Sequence, residues 1–158
     1  MTQTMSQRGA VPVGYVSELG PVEARAVLYL RLWFSGAETQ QQVWNDFASA
    51  LGPHRGRSAL HTLEELCQIC AQHGRRPLMR HHVTCKCLGA DEACFANFVA
   101  AAADGAREDA MLMATLIVRP DLALCIADLA CDLGLALRQM AAVPRDSSIE
   151  RPKTTTLH

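Results

Sequence analysis

The chain has 158 residues, the length of one domain rather than two, and its 49% hydrophobic content supplies a core without approaching the composition of a membrane protein. Only 5% of residues are aromatic and 20% are charged, so the core rests on Ala, Leu, Val and Met, which favours helices and excludes an all-β fold. A formal net charge of -1 removes the bulk electrostatic case for a nucleic-acid or polyanion binder.

Residues 1–19 are polar and turn-rich and are expected to form a flexible N-terminal segment. They lack the charged start, apolar run and cleavage site of an export leader, so the expected compartment is the cytoplasm. No apolar run reaches the roughly 18 residues of a membrane span, since Arg31 interrupts the one from Val27 to Phe34. No membrane partner is expected.

Gly20-Pro21 with Glu23 behind it is a helix start, placing Pro at the first helical position and an acid at the positive end of the dipole. That helix is expected to run to Phe34. Trp44, Phe47, Ala48 and Leu51 recur at helical spacing and predict a second helix that stops at Gly52-Pro53. The stretch Gly52 to Ser58 is one residue short of a phosphate loop, carries Arg where the lysine belongs and follows no strand, so it reads as a linker between helices. A third helix from about Ser58 to His73 carries Leu60, Leu63, Cys67 and Cys70 on one face. The period then fails through RRPLMRHHVTCKCLG, which is the irregular segment of the chain.

Helical order resumes near Asp91, with Asp91 and Glu92 in a first turn and Phe95, Phe98, Val99 and Ala102 on an apolar face ending at Gly105. From Ala106 to Val118 the sequence is apolar nearly all round and predicts a buried helix. Pro120-Asp121 opens the last one, whose stripe is Leu122, Ile126, Leu129, Leu133, Leu137 and Met140, with Cys125 and Cys131 as packing residues. Residues 143–158 carry too little apolar surface to offset the entropy of ordering and are expected to be a flexible tail. The fold expected is therefore all-α: a single compact helical domain of five or six helices over residues 20–142, with one irregular Cys/His-rich loop.

Charge is uneven along this order. His54 to Leu88 holds six Lys or Arg and five His against two Glu, whereas Asp91 to Asp132 holds eight acids against two Arg. Either the folded protein has a basic and an acidic side or both segments are ordinary solvated faces.

Seven cysteines is an odd number, and thiols in a reducing cytosol stay free or bind metal rather than build a disulfide framework. The densest cluster is RHHVTCKCLGADEAC, residues 80–94. Zinc takes four thiolate or imidazole ligands, and an irregular loop folds round an ion more readily than a regular element does. The preferred ligand set is His82, Cys85, Cys87 and Cys94, with His81 as the substitute for His82, and the helix terminus near Cys94 is expected to favour its thiolate. The competing reading is that these cysteines are small core residues and the two histidines a surface turn. A related set draws Cys67 and Cys70 in with Cys85 and Cys87, and such a four-thiolate site suits zinc or an iron-sulfur cluster.

ELCQICAQH, residues 65–73, places Cys67-x-x-Cys70 on a helix with His73 three residues on. It resembles the redox motif of the all-helical AhpD and carboxymuconolactone decarboxylase-like family over about nine residues. That resemblance implies a thiol-disulfide couple of Cys67 and Cys70 with His73 assisting proton transfer. His-Glu-x-x-His, Gly-x-Ser-x-Gly and Gly-x-Gly-x-x-Gly are absent.

Three functions follow. The leading one is a cytoplasmic, non-enzymatic regulatory or adaptor protein with a structural zinc ion in the loop, displaying Arg75, Arg76 and Arg80 to a protein partner. A nucleic-acid partner would use the same arginines but finds no interleaved aromatic residues. The alternatives are the oxidoreductase of Cys67, Cys70 and His73, and a metal-free helical interaction protein.

Overall fold

A computed structural model describes residues 8–143. Among the described residues six helices surround one core: α1 (Pro21–Trp33), α2 (Ala37–Leu51), α3 (Pro53–His73), α4 (Ala90–Ala103), α5 (Arg107–Ile117) and α6 (Ala123–Ala142). Two short strands, β1 (Pro12–Tyr15) and β2 (Cys87–Gly89), form an antiparallel pair, and the irregular segment 74–86 joins α3 to β2. The expected helical bundle with one Cys/His-rich loop is what the chain forms. No helix among the described residues is long and apolar enough to cross a membrane. The expected tail, beyond Val143, and residues 1–7 lie outside the described residues.

Helix α4 is the centre of the bundle, with Phe95, Phe98 and Val99 fully buried and neighbours α6, α1 and α5 on its sides. The closest approach is to α6 at Gly134, where a Cβ would sit 2.6 Å from the Ala103 Cβ and 2.8 Å from the Val99 carbonyl oxygen. Only a residue without a side chain lets these two helices meet at that point. Helices α2 and α3 pack as a pair, and Tyr29 of α1 meets Phe47 of α2 edge to face at 4.9 Å.

Several boundaries differ from the sequence expectation for identifiable reasons. Helix α3 starts at Pro53 instead of about Ser58, because proline at the first helical position forfeits no hydrogen bond, so the supposed linker is its first turn. Helix α5 is one-sided rather than buried: Ala110, Ala114 and Ile117 face the core while Leu112 and Leu116 are 67% and 70% exposed. Its main packing is on α4 and α6, and an edge helix has one face to bury. In α6 the stripe holds at Ile126, Leu133, Leu137 and Met140, but Leu122 and Leu129 are only partly covered. Cys131 is half-buried and packs against the core as expected, whereas Cys125 is exposed and does not.

Strand β1 has no counterpart in the sequence reading, which left residues 1–19 without structure. The segment PVGY has no apolar alternation; its order comes from pairing, with Gly14 opposite Leu88 and Tyr15 opposite Cys87. Val16 N–H adds a bond to the Lys86 carbonyl at 2.9 Å, and Ala90 and Asp91 donate to Val11 and Gly9. The early chain is thereby laid across the end of the Cys/His loop.

Candidate functional site

Charged side chains build the loop from inside. Arg31 in the last turn of α1 and Glu92 in the first turn of α4 are 3% and 0% exposed, and a charge taken that far from water is costly unless every polar atom is matched. Here every one is matched. Arg31 Nε donates to Glu92 Oε2 at 2.5 Å and Nη2 to Oε1 at 2.9 Å, the bidentate fork of guanidinium on carboxylate. The remaining donors go to loop carbonyls: Nη1 to His82 at 3.1 Å and Cys85 at 2.7 Å, and Nη2 to Cys87 at 2.8 Å. All five N–H groups of the guanidinium are used.

Glu92 is saturated in turn, accepting the Gly89 N–H at 3.0 Å and the His81 N–H at 3.3 Å besides the two bonds from Arg31. Burial opposes its charge, but the Arg31 hydrogen bonds, the Gly89 N–H and the Arg31 charge outweigh that and hold the carboxyl below the usual carboxylate range. Its neighbour Asp91 takes a bidentate pair from Arg76 and the Met79 N–H at 2.8 Å. Two acids at the start of α4 therefore anchor both halves of segment 74–86. No buried side-chain nitrogen or oxygen among the described residues lacks a partner.

On this frame the loop presents one sulfur centre. His81 Nε2–H donates to the Ala10 carbonyl at 2.8 Å, which fixes the ring and leaves Nδ1 facing Cys85 Sγ at 3.5 Å. The ring lies over Gly89, where a Cβ would come within 2.9 Å of it. The Cys87 backbone N–H, then His81 and its charge, outweigh burial and lower the Cys85 thiol below its ordinary value. His81 is raised, first by its bond to Cys85. The Arg31 guanidinium adds its charge close to both Cys85 and Cys87. The imidazole and the neighbouring Cys87 N–H thus favour a thiolate at Cys85, which is half-exposed.

The other expected site residues lie elsewhere. His82 turns back on its own loop, its Nδ1 meeting Thr84 Oγ1 at 2.9 Å and its N–H at 3.3 Å, so the histidine against the sulfur is His81. Cys94 lines a separate cleft of about 300 Å³ with Arg76, Leu78, Asp91, Leu116 and Ile117. Burial, then Asp91, pushes its thiol up, contrary to the expected effect of the helix terminus. Among the described residues, no three His, Cys, Asp or Glu side chains gather where they would hold a metal ion, neither around Cys94 nor around Cys67 and Cys70.

Cys67 and Cys70 are 1% and 2% exposed in the core face of α3. Burial pushes Cys70 up to about 12 and Cys67 still higher, and His73 is exposed at the helix end. Buried thiols held protonated do not exchange with disulfides. The arginines expected on display are occupied as well. Arg75 Nε donates to the Thr115 carbonyl at 2.6 Å, Arg76 holds Asp91, and Arg80 stacks over Phe34 at 4.2 Å from the ring centre.

Sequence reasoning missed Arg31, Asp91 and Glu92. The signal was partial: a lone arginine inside an otherwise apolar helical run stands out, and of the paired acids before Cys94 one, Glu92, is its partner while Asp91 takes Arg76. No protein-family model, curated protein or solved structure matches the chain, so function is argued from this geometry alone.

Proposed function

We propose that the protein is a non-enzymatic regulatory module whose working part is a thiol centre: Cys85 is the reactive sulfur, His81 its proton partner and Cys87 its neighbour. The observation that carries this is His81 Nδ1 at 3.5 Å from Cys85 Sγ, at the surface of a loop pinned by Arg31. A thiolate is the nucleophilic form of cysteine, and nearby positive charge with a donated N–H is what stabilises it. The guanidinium and the imidazole are both placed before any reactant arrives, so no reorganisation is needed. The reading requires no metal ion to order the loop, because the Arg31–Glu92 and Arg76–Asp91 pairs already do so. A reducing compartment, where such thiols stay free, is the setting that fits it.

Limited alkylation of the native protein with iodoacetamide at pH 7, mapped by peptide mass, tests this. Exposed Cys125 is the internal reference and buried Cys67 and Cys70 are the slow extreme. Cys85 is expected to react several-fold faster than Cys125, and Cys67 and Cys70 only after unfolding. His81→Gln should bring Cys85 down toward the Cys125 rate and leave Cys125 unchanged. Cys85 reacting no faster than Cys125 would defeat the proposal. So would a Cys85 protected until a chelator removes zinc, which would restore the metal site expected from the sequence.

A further inference from the structure

The thiol centre contains a second sulfur whose placement has its own meaning. Cys85 and Cys87 flank Lys86, and both of their carbonyls are hydrogen-bonded to the same guanidinium, at 2.7 and 2.8 Å. One planar group therefore holds the two cysteine backbones side by side. The two cysteines are one residue apart in the chain, and both are half-exposed. The remaining thiols are placed otherwise: Cys94 in its own cleft, Cys67 and Cys70 in the core, Cys125 and Cys131 on α6. None of the seven is joined in a disulfide in this structure.

From this juxtaposition we infer that Cys85 and Cys87 form a reversible oxidation site for peroxides, closing to an intramolecular disulfide across Lys86. The inference rests on the thiol-centre reading and assigns it a reactant and a product. Cys85 thiolate forms an S–O bond to one peroxide oxygen as the O–O bond breaks. Cys85 sulfenic acid results, and the departing alkoxide or hydroxide takes a proton from the His81 imidazolium. The Cys87 sulfur then forms the S–S bond as the S–O bond breaks, and the hydroxide released leaves as water with the Cys87 proton. In sum, two thiols lose two electrons and two protons, and the peroxide becomes an alcohol or water plus one further water.

The ring so closed is small, and drawing the two residues together displaces the Lys86 carbonyl from Val16 and the flanking carbonyls from Arg31. Oxidation is thereby coupled to the register of β1 on β2 and to the loop's anchor, which gives a regulatory module its two states.

The test uses the full chain treated with a small excess of hydrogen peroxide, quenched with maleimide under denaturing conditions and digested with trypsin. Cleavage after Lys86 separates the two cysteines, so a disulfide between them leaves the peptide ending at Lys86 joined to the one beginning at Cys87. That joined species is expected in the wild type and in Cys94→Ser, and a dithiol reductant should abolish it. In Cys87→Ser, Cys85 should instead accumulate as sulfenic acid, trapped by dimedone several-fold more than in the wild type. A bridge from Cys85 to Cys94 or to a second chain, or equal dimedone trapping with and without Cys87, would overturn the inference. If Cys85 alkylates rapidly but peroxide leaves it reduced, the oxidation site fails and the thiol centre stands. If Cys85 does neither, both fail.

Discussion

Replacing Arg31 with leucine is expected to destabilise the fold by about 3–5 kcal/mol, the cost of stripping one partner from a buried ion pair. Against a typical total of about 5–15 kcal/mol, that leaves a protein close to unfolding at room temperature. The substitution strands the Glu92 carboxylate and also three carbonyls, those of His82, Cys85 and Cys87. Glu92→Gln is expected to cost less, because Arg31 keeps its carbonyl acceptors and the amide still accepts one hydrogen bond. Arg31→Leu with Glu92→Leu should not recover full stability, since the three carbonyls remain without donors. Urea unfolding of the four proteins orders them directly; a double variant as stable as the wild type would show that the carbonyl bonds contribute nothing.

The same pair sets a pH dependence. Glu92 is held below its unfolded value of about 4.3, so its contribution is complete above that pH and is lost as the pH falls through the lower, folded value. Part of the acid destabilisation of the wild type below about pH 4 should therefore be missing in Glu92→Gln.

Gly134→Leu is expected to cost about 3 kcal/mol, at the upper end for overpacking. The reason is the approach of α4 to α6, where even a methyl group would come within 2.8 Å of the Val99 carbonyl oxygen and 2.6 Å of the Ala103 Cβ. Gly134→Ala is a sharper probe. Helix propensity alone predicts a gain of about 1 kcal/mol, whereas the clash with backbone predicts a loss. The loss should win, and Ala103→Gly in the same chain should relieve only part of it because the carbonyl remains. A stabilised Gly134→Ala protein would mean that the two helices are not in contact there.

The bundle was legible in the sequence where periodicity and stop signals agree, as at Pro21, Gly52 and Gly105 and in the buried faces of α4 and α6. It was not legible where order comes from partners distant in the chain. PVGY carries no strand signal of its own, and pairing with Cys87–Gly89 makes it one. The stretch from Ala106 to Val118 reads as apolar nearly all round, yet the burial of α5 is decided by its position at the edge of the bundle.

The site divides in the same way. Density of His and Cys picked out the fifteen residues that include His81, Cys85 and Cys87, the loop on which the proposal rests. It did not pick out which groups meet. A ligand count treats Cys94 as equivalent to Cys85, whereas α4 carries Cys94 into another cleft. Adjacent histidines look interchangeable until the Ala10 carbonyl, brought near by β1, selects His81. The loop's organiser, Arg31, lies more than fifty residues away from the cysteines whose carbonyls it binds. Spacing rules have no access to a contact of that kind.

The central claim is that Cys85 and His81 share a proton in favour of the thiolate and imidazolium. Nuclear magnetic resonance measures it directly, by following the Cys85 Cβ and the His81 ring nitrogens across pH in protein freed of metal with chelator. The expected result is coupled titration, with Cys85 below the ordinary thiol value of about 8.5 and His81 above the ordinary imidazole value of about 6.5. Cys85 titrating at or above the ordinary value, with His81 indifferent to Cys85→Ser, would contradict the account.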